Sequence, residues 1–373
     1  MSKIKVGIDI RDLHIAKTGA RTYLEELIKA LELHPDKNFN YILIDAKSSV
    51  YVGTNQFFKV IEHIKFFFWK QIILPIKAKI MGCKILICTD YFVPYFSLGI
   101  KTIPIFHDAF FYEYPTQYNK YWLFLFKNLA VKAAKKSVFV VTPTNYSKIQ
   151  IAKHSSIPKD KIEVIYEASK SLSLNADKSI KDLQNSLQEK NYLLHVGTME
   201  KRKNIPSLLK VFKKLKPEFP FLKLVLIGQF SPKSDMNDQM EIMKTIKNLD
   251  LKRDVVFPGY VSDDDLAVFY KDALAYVFPS VNEGFGIPIL ESFSKKLPVL
   301  ASNNTCLPEI GGDAVLYFDP YDLEDMRQKL RDVITDKELR ENMILKGSDR
   351  LKIFSWDDAA NAFVGIFTRI VNL

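Results

Sequence analysis

Cysteines are scarce in this sequence, and long apolar runs are absent from it. Its 373 residues include three cysteines, Cys83, Cys88 and Cys306, without the C-x-x-C or Cys/His spacing of a metal site. Each lies among apolar residues, so we expect buried free thiols in a reducing compartment. No apolar run reaches the roughly 18 residues of a transmembrane helix, and the opening residues MSKIKVGIDI lack the features of a signal peptide. The sequence therefore predicts a cytoplasmic protein.

Two further absences exclude classes of function. No G-x-G-x-x-G follows a strand-like segment, which argues against a dinucleotide-dependent dehydrogenase. The acidic run Ser262–Asp265 precedes a helical pattern, so it predicts a helix cap rather than a D-x-D metal motif. We predict no cofactor and no metal site. The net charge of +10 favours acidic partners such as nucleotides, but it is spread along the chain, and we do not predict nucleic-acid binding.

The chain contains two series of short apolar segments that alternate with helical patterns. The first series is Lys5–Ile10, Tyr41–Ala46, Cys83–Asp90, Lys101–Asp108 and Ser137–Thr144. The second series is YLLHVGTM, LKLVLIGQF, RDVVFPGYV, ALAYVFPS, LPVLASN and DAVLYFDP. This alternation predicts α/β domains with parallel sheets. We predict a first domain at 1–168 with a C-terminal helix at about 357–373, a polar connection at 169–190 and a second domain at 191–356.

Ligands of open parallel sheets bind beyond the carboxyl ends of the strands, so the loops after each strand are candidate sites. One such loop, SVNEGFGIPILESF, places Glu283 and Glu291 on either side of two glycines. A helix is predicted to begin near Pro288, with Glu291 in its first turn, and amides at a helix start can bind an anion. A plain junction between a loop and a helix is the alternative for this stretch.

A second loop, VGTMEKRKN, follows a strand that ends at Gly197. It carries the basic run Lys201–Lys203 and then Asn204, the predicted N-cap of a helix. Basic side chains at this place are suited to a diphosphate. A solvated run of charges is the alternative.

Together these loops resemble glycosyltransferase family 4, which has the GT-B architecture. The resemblance is carried by EGFGIPILE, VGTMEKRKN, HDAFFYEYP and FSWDDAA, and it covers essentially the whole chain. It implies two Rossmann-like α/β domains that face a central cleft, with a C-terminal helix that returns to the first domain. The nucleotide-sugar donor would bind to the second domain and the acceptor to the first.

The resemblance also implies roles for individual residues. Glu283 would bind the donor sugar, Glu291 the ribose, and Arg202 and Lys203 the leaving diphosphate. Further donor contacts would come from Gly19, Gly197, Thr198, Gly228, Tyr260, Gly284, Phe285, Gly286 and Ile287.

The histidine of HDAFFYEYP completes the implied catalytic set. His107 would lie in the cleft near the sugar, and Asp108 would orient its ring or act on the acceptor. Two positions depart from the family pattern. Thr198 stands where many members have an arginine, so Arg202 would supply that charge, and Ala20 stands where a second glycine often follows Gly19.

The resemblance implies retaining transfer of a hexose, without an obligatory metal, to a glycan or lipid-linked glycan. GIDIRDL, DYFVP and VIYE are similar to the branch of bacterial mannosyltransferases of surface-polysaccharide synthesis, which favours GDP-mannose over rhamnose or another hexose donor. The basic, aromatic segment 60–84 would either contact the inner face of the membrane or form a core helix. A nucleotide-sugar epimerase and a non-catalytic nucleotide-sugar-binding or membrane-docking protein are the alternative functions.

Overall fold

Four of the five apolar segments of the first series form one parallel sheet in the computed structural model, and the fifth belongs to a separate two-stranded sheet. The structure describes residues 3–14, 19–46, 50–51, 53, 55–115, 120–170, 191–230 and 236–372, with isolated positions 172, 177, 180, 183 and 187. The strands of this part are β1 (Ile4–Asp9), β2 (Phe39–Ile44), β3 (Ile85–Cys88), β4 (Lys101–Pro104), β5 (Val140–Thr142) and β6 (Ile162–Val164). The first four pair in the order β2-β1-β3-β4, and β5 pairs with β6, a strand that the sequence analysis did not predict.

The helices of this part cover the sheet and include two π-helical turns. They are α1 (Gly19–Leu33), α2 (Gln56–Phe68), α3 (Leu74–Ile80), α4 (Phe110–Glu113), α5 (Lys120–Leu125), α6 (Val131–Lys136) and α7 (Asn145–Ser155). A π turn at Trp69–Ile73 joins α2 to α3, and another at Phe126–Ala130 joins α5 to α6. The first π turn places the buried Lys70 ammonium 2.5 Å from carboxylate oxygens of both Asp9 and Asp90.

The second series of apolar segments forms a Rossmann-type sheet. Its strands are β7 (Tyr192–Val196), β8 (Lys223–Ile227), β9 (Val255–Gly259), β10 (Ala275–Phe278), β11 (Val299–Ser302) and β12 (Val315–Phe318). They pair in the order β12-β11-β10-β7-β8-β9. The chain therefore passes to one side of β7 for β8 and β9 and to the other side for β10, β11 and β12. This reversal makes the carboxyl ends of β7 and β10 the expected ligand position.

The helices of this second part lie between its strands or follow the last one. They are α8 (Ile205–Leu215), α9 (Gln239–Asn248), α10 (Asp263–Asp272), α11 (Ile287–Ser294), α12 (Leu307–Gly311), α13 (Leu323–Thr335) and α14 (Lys337–Leu351). The predicted cap of α10 is confirmed, because the Ser262 hydroxyl accepts a hydrogen bond from the Asp265 amide at 3.2 Å. Every residue of β10 and β11 is buried, as expected for parallel strands covered on both faces.

The chain divides into two units, Met1–Glu167 with Ser355–Leu373 and Ala168–Phe354. The last helix, α15 (Trp356–Val371), belongs to the first unit as predicted. Its residues Phe363 and Phe367 are buried in one core with Leu24 and Leu27 of α1. Most of the predicted connection 169–190 lies outside the described residues.

Two predictions about the whole chain can be compared directly with the structure. The three cysteines are free and buried, as predicted. Within the described ranges, every helix is too short or too polar to cross a bilayer.

Candidate active site

The loops after β7 and β10 meet at the strand reversal of the second sheet. The Val281 amide donates to the Arg202 carbonyl at 2.8 Å, and Arg202 Nη1 donates to the Asn282 carbonyl at 3.2 Å. The basic loop and the glutamate loop, 80 residues apart in sequence, are thus joined by one backbone–backbone hydrogen bond and by one from the Arg202 side chain to the backbone. This contact places the predicted sugar-binding and diphosphate-binding residues in one site.

Glu283 forms ion pairs with both predicted diphosphate ligands, Lys203 and Arg202. Lys203 Nζ lies 2.6 Å from Glu283 Oε1, and Arg202 Nη1 lies 2.7 Å from Glu283 Oε2. Arg202 Nε also donates to Glu200 at 2.8 Å. Glu283 is 7% exposed and Lys203 6% exposed, so this ion cluster is shielded from bulk water. The ring of Phe278 lies beneath it, with its centroid 4.9 Å from Lys203 Nζ.

The cluster strongly favours the charged form of Glu283. Burial alone would raise the pKa of this carboxyl, but Arg202 and Lys203 outweigh burial and lower the pKa to about 2. Burial lowers the pKa of Lys203, although Glu283 opposes the change. The site therefore holds a permanent carboxylate against two cations, an arrangement that can bind hydroxyl groups and phosphate oxygens side by side.

Glu291 lies deeper in α11 than predicted. The helix begins at Ile287 after Gly286, which has a positive φ of 113°, so Glu291 is the fifth helical residue and the prediction of a first-turn position was wrong. The Tyr270 hydroxyl donates to Glu291 Oε2 at 2.8 Å. Burial raises the pKa of Glu291, and this hydrogen bond offsets part of the rise. Tyr270 thus fixes one oxygen of the predicted ribose ligand.

Residues 177–350, which lie within the second unit, match the family model of the glycosyl transferases group 1. O-antigen chain mannosyltransferase B of Escherichia coli is 29% identical to this chain over 271 residues, which are 72% of this chain and 70% of the relative. Residues 177–350 thus form a domain of the glycosyl transferases group 1, and the chain has the GT-B fold.

Solved structures support this fold over almost the whole chain. Sucrose-phosphate synthase from Thermosynechococcus elongatus superposes with a TM-score of 0.78 at 15% identity, covering 99% of this chain and 100% of that one. HepE of Anabaena, solved in complex with UDP, superposes with a TM-score of 0.69 at 14% identity, covering 99% of this chain and 100% of that one.

Close packing between the loops after β7 and β8 explains the predicted glycine at position 228. Gly228 follows β8 with a φ of 140°, and a Cβ at this position would lie 2.0 Å from the Gly197 carbonyl oxygen. Gly197, with a φ of 155°, would place a Cβ 3.3 Å from Lys203 Cε. The loops after β7 and β8 can therefore approach each other this closely only because residue 228 lacks a side chain.

We predict that Gly228→Ala lowers the free energy of unfolding by about 3 kcal/mol, because alanine adds a backbone clash to an unfavourable φ. Gly259→Ala is the matched control. Its φ is 81°, but a Cβ there meets no described atom within 4 Å, so we expect a loss of about 1 kcal/mol. Urea unfolding of the two variants measures the difference. Equal losses would show that the close approach to the Gly197 carbonyl does not prevent residue 228 from carrying a side chain.

The remaining predicted residues of the second unit occupy several environments. Thr198 lies in the loop after β7, where its carbonyl accepts from the Glu200 amide at 2.8 Å. Phe285 is buried and packs edge-on against Phe354, with centroids 5.9 Å apart. Tyr260 follows β9 and is 65% exposed. Gly284 precedes Phe285 in the glutamate loop, and Ile287 begins α11.

Asn204 occupies the predicted N-cap position of α8, but its side chain does not cap the helix. Its φ is 55°, and its amide group instead donates to the Pro320 carbonyl at 3.0 Å. The predicted capping hydrogen bond was therefore wrong. Asn204 joins the basic loop to the segment after β12.

His107 and Gly19 belong to the first unit. Gly19 is exposed and begins α1. The ring of His107 contacts Glu167 through Nδ1 at 3.3 Å and the Thr89 carbonyl through Nε2 at 3.0 Å. Asp108 instead accepts from the Tyr91 hydroxyl and the Phe110 amide, both at 3.0 Å. The carboxylate hydrogen-bonded to the ring is thus that of Glu167, and the prediction of Asp108 in this role is corrected.

Sequence reasoning missed three residues that hold the predicted ones in place. Glu200 binds Arg202, and its nearness to the basic run was the one available signal. Tyr270 lies in α10 and Glu167 follows β6, so neither is close in sequence to the group it binds. Among the residues that the structure describes, His, Cys, Asp and Glu side chains form no group suited to a metal ion.

Proposed function

We propose that this glycosyltransferase moves a mannosyl group from GDP-mannose to a glycan or lipid-linked glycan in surface-polysaccharide synthesis, including lipopolysaccharide. The observation that carries the proposal is the buried cluster of Glu283, Lys203 and Arg202 at the strand reversal of the second sheet. Similarity to an O-antigen chain mannosyltransferase supports the sugar and the pathway class. The UDP complex of HepE supports a nucleotide-linked donor.

The diphosphate of the donor would bind Lys203 and Arg202. A lysine ammonium has three N–H donors and an arginine guanidinium has five, so each can bind phosphate oxygens while it retains Glu283. The four groups Glu200, Arg202, Lys203 and Glu283 carry no net charge together. The cations therefore stay positioned without donor, and they stabilise the added negative charge as the diphosphate leaves. This role requires no metal ion.

The sugar and the ribose would bind the two glutamates. The low pKa of Glu283 keeps it an acceptor for sugar hydroxyls across the physiological range. Glu291 has one oxygen held by Tyr270 and would use its remaining acceptor positions for the ribose hydroxyls. Small residues at Gly197, Gly228, Gly284 and Gly286 would let the backbone approach the donor, with Thr198, Phe285, Ile287 and Tyr260 completing its surroundings.

We propose retention of anomeric configuration, with the departing phosphate taking the acceptor proton. His107 and Gly19, in the first unit, would contact the sugar and the phosphates. Proton NMR of the product anomeric signal tests retention. An inverted product would contradict it without affecting the donor assignment.

A donor screen tests the proposal as a whole. We expect GDP-mannose to raise the melting temperature more than UDP-glucose, UDP-galactose or dTDP-rhamnose, and to be hydrolysed slowly without acceptor. Transfer is then assayed with lipid-linked oligosaccharides. Donor binding without transfer or hydrolysis would favour the non-catalytic alternative, and interconversion of the sugar without release of GDP would favour the epimerase.

We also propose that the α2–α3 segment contacts an anionic membrane surface. Its inner face is buried through Trp69, Leu74 and Ala78. Its outer face exposes apolar side chains at four-residue spacing, with exposures from 44% to 80%, at Val60, Ile64, Phe68, Ile72, Ile76 and Ile80. Lys65 and Lys79 are exposed on the same segment. An apolar row accompanied by lysines fits an interfacial helix.

We predict that Phe68→Asp combined with Ile72→Asp lowers binding to phosphatidylglycerol vesicles by roughly tenfold or more, since each change removes apolar area from the contact. The control is Phe221→Asp with Met240→Asp, two exposed apolar residues of the second unit. Vesicle sedimentation measures bound protein. Equal binding by the two double variants would contradict the membrane contact.

A further inference from the structure

Both ring nitrogens of His107 face groups that only accept hydrogen bonds. Nε2 lies 3.0 Å from the backbone carbonyl of Thr89, which has no proton to donate. Nδ1 lies 3.3 Å from a carboxylate oxygen of Glu167. A neutral imidazole has one N–H and one lone pair, so it can satisfy only one of these partners when Glu167 is ionised. The doubly protonated ring satisfies both.

The surroundings of the ring are otherwise aromatic and apolar. Tyr23 meets His107 edge-on with centroids 5.0 Å apart, and Tyr91 lies 6.1 Å away. Glu167 is 5% exposed, so its charge is costly unless a cation accompanies it. The Asp108 carboxylate is the further charged group near the ring. The local balance of charge therefore favours a positive ring.

We propose that His107 is a permanent imidazolium at neutral pH and that Glu167 is the positioning residue that holds it in this state. The role of this charge in catalysis rests on the proposed function, whereas the charge state itself does not. A ring that carries both protons cannot accept one from the acceptor hydroxyl. His107 would instead contribute a fixed positive charge to an anionic or hydroxyl-bearing substrate, and its orientation would be set by the ends of β3 and β6.

The direction of the pKa agrees with this arrangement. Burial lowers the pKa of His107, but the hydrogen bond and charge of Glu167, with a contribution from Asp108, outweigh burial and raise it above its ordinary value of 6.5. A raised pKa in the folded state means that protonation stabilises the fold fully below about pH 6.5. That stabilisation is lost as the pH rises through the folded pKa.

NMR of the full chain with ¹⁵N-labelled histidine tests the proposal. We expect the ¹⁵N shifts of His107, assigned with His107→Asn, to show two protonated nitrogens at pH 7. Glu167→Gln is expected to lower the titration midpoint by about one pH unit or more, because a glutamine amide can donate to Nδ1 and stabilise the neutral ring. Glu163→Gln, the same change in β6 where Glu163 pairs with Arg369, is the control and should leave the midpoint unchanged.

The pH dependence of GDP-mannose hydrolysis supplies a second readout. We expect kcat/KM to fall above the midpoint of His107 and the fall to begin at lower pH in Glu167→Gln. A neutral, single-tautomer ring at pH 6.5 in the unmodified protein would overturn the proposal, as would an unchanged midpoint in Glu167→Gln. Absence of hydrolysis in every variant, with the ring titrating as expected, would count against the proposed donor and leave the charge state standing.

Discussion

Glu283→Gln is expected to lower kcat for mannosyl transfer by roughly 10²- to 10³-fold, the loss typical of removing one preorganised electrostatic group. The amide keeps the size of the carboxylate but loses its charge, so its contacts with Lys203 and Arg202 at 2.6 and 2.7 Å weaken together. It also presents an NH₂ group where the sugar would meet an oxygen. Steady-state kinetics with GDP-mannose, beside circular dichroism of the folded variant, measures the effect.

The control for this variant is Glu241→Gln, since Glu241 is an exposed glutamate of α9 in the same unit. We expect it to retain normal turnover. Near-normal turnover in Glu283→Gln would remove Glu283 from the catalytic site and leave it as an internal counter-ion.

Glutamine is a better test than alanine because of the buried cations. Truncation at Glu283 leaves Lys203 and one side of Arg202 without their anion, and breaking a buried pair in this way costs about 3–5 kcal/mol. The sequence analysis assigned both cations to the diphosphate alone. In the structure, Glu283 is also their counter-ion. We therefore expect GDP to raise the melting temperature of Glu283→Ala more than that of the unmodified protein, because the diphosphate replaces the missing anion.

The fold was predictable because buried parallel strands are apolar throughout. Segments such as AYVF and VLAS have no polar face, and each is followed by a helical pattern, which leaves few arrangements other than a parallel sheet. The strand β6 was missed because IEV is short and follows a charged run. The two π turns carry no sequence signal, since their residues continue an ordinary helical pattern.

The sequence predicted which loops form the candidate site, but it did not predict which side chains pair with one another there. Arg202, Lys203 and Glu283 follow β7 and β10, so their meeting at the strand reversal follows from topology. Their direct pairing depends on side-chain torsion angles, which the spacing of residues in the sequence does not specify. The sequence analysis offered Asp108 either as the group that orients His107 or as a group that acts on the acceptor, whereas the carboxylate hydrogen-bonded to the ring comes from Glu167, 60 residues further along the chain.

Lys203→Met is expected to weaken binding of GDP and GDP-mannose by roughly 10- to 150-fold, the equivalent of about 1.5–3 kcal/mol for a hydrogen bond to a charged group. Methionine retains the apolar stem, which packs near Phe278 and the Gly197 backbone, and removes the ammonium. Glu283 then keeps Arg202 as its counter-ion, so the carboxylate remains ionised. Isothermal titration with GDP measures the loss.

Lys201→Met provides a matched control in the same loop. Lys201 is exposed, whereas Lys203 is buried against Glu283, so the two changes remove the same net charge from different positions. If long-range attraction of the basic loop governed donor binding, both variants would lose similar affinity, and the loss would diminish as salt is added. A buried contact with the diphosphate predicts a large loss for Lys203→Met that persists at high salt and a small loss for Lys201→Met. Equal losses would contradict a specific diphosphate site at Lys203.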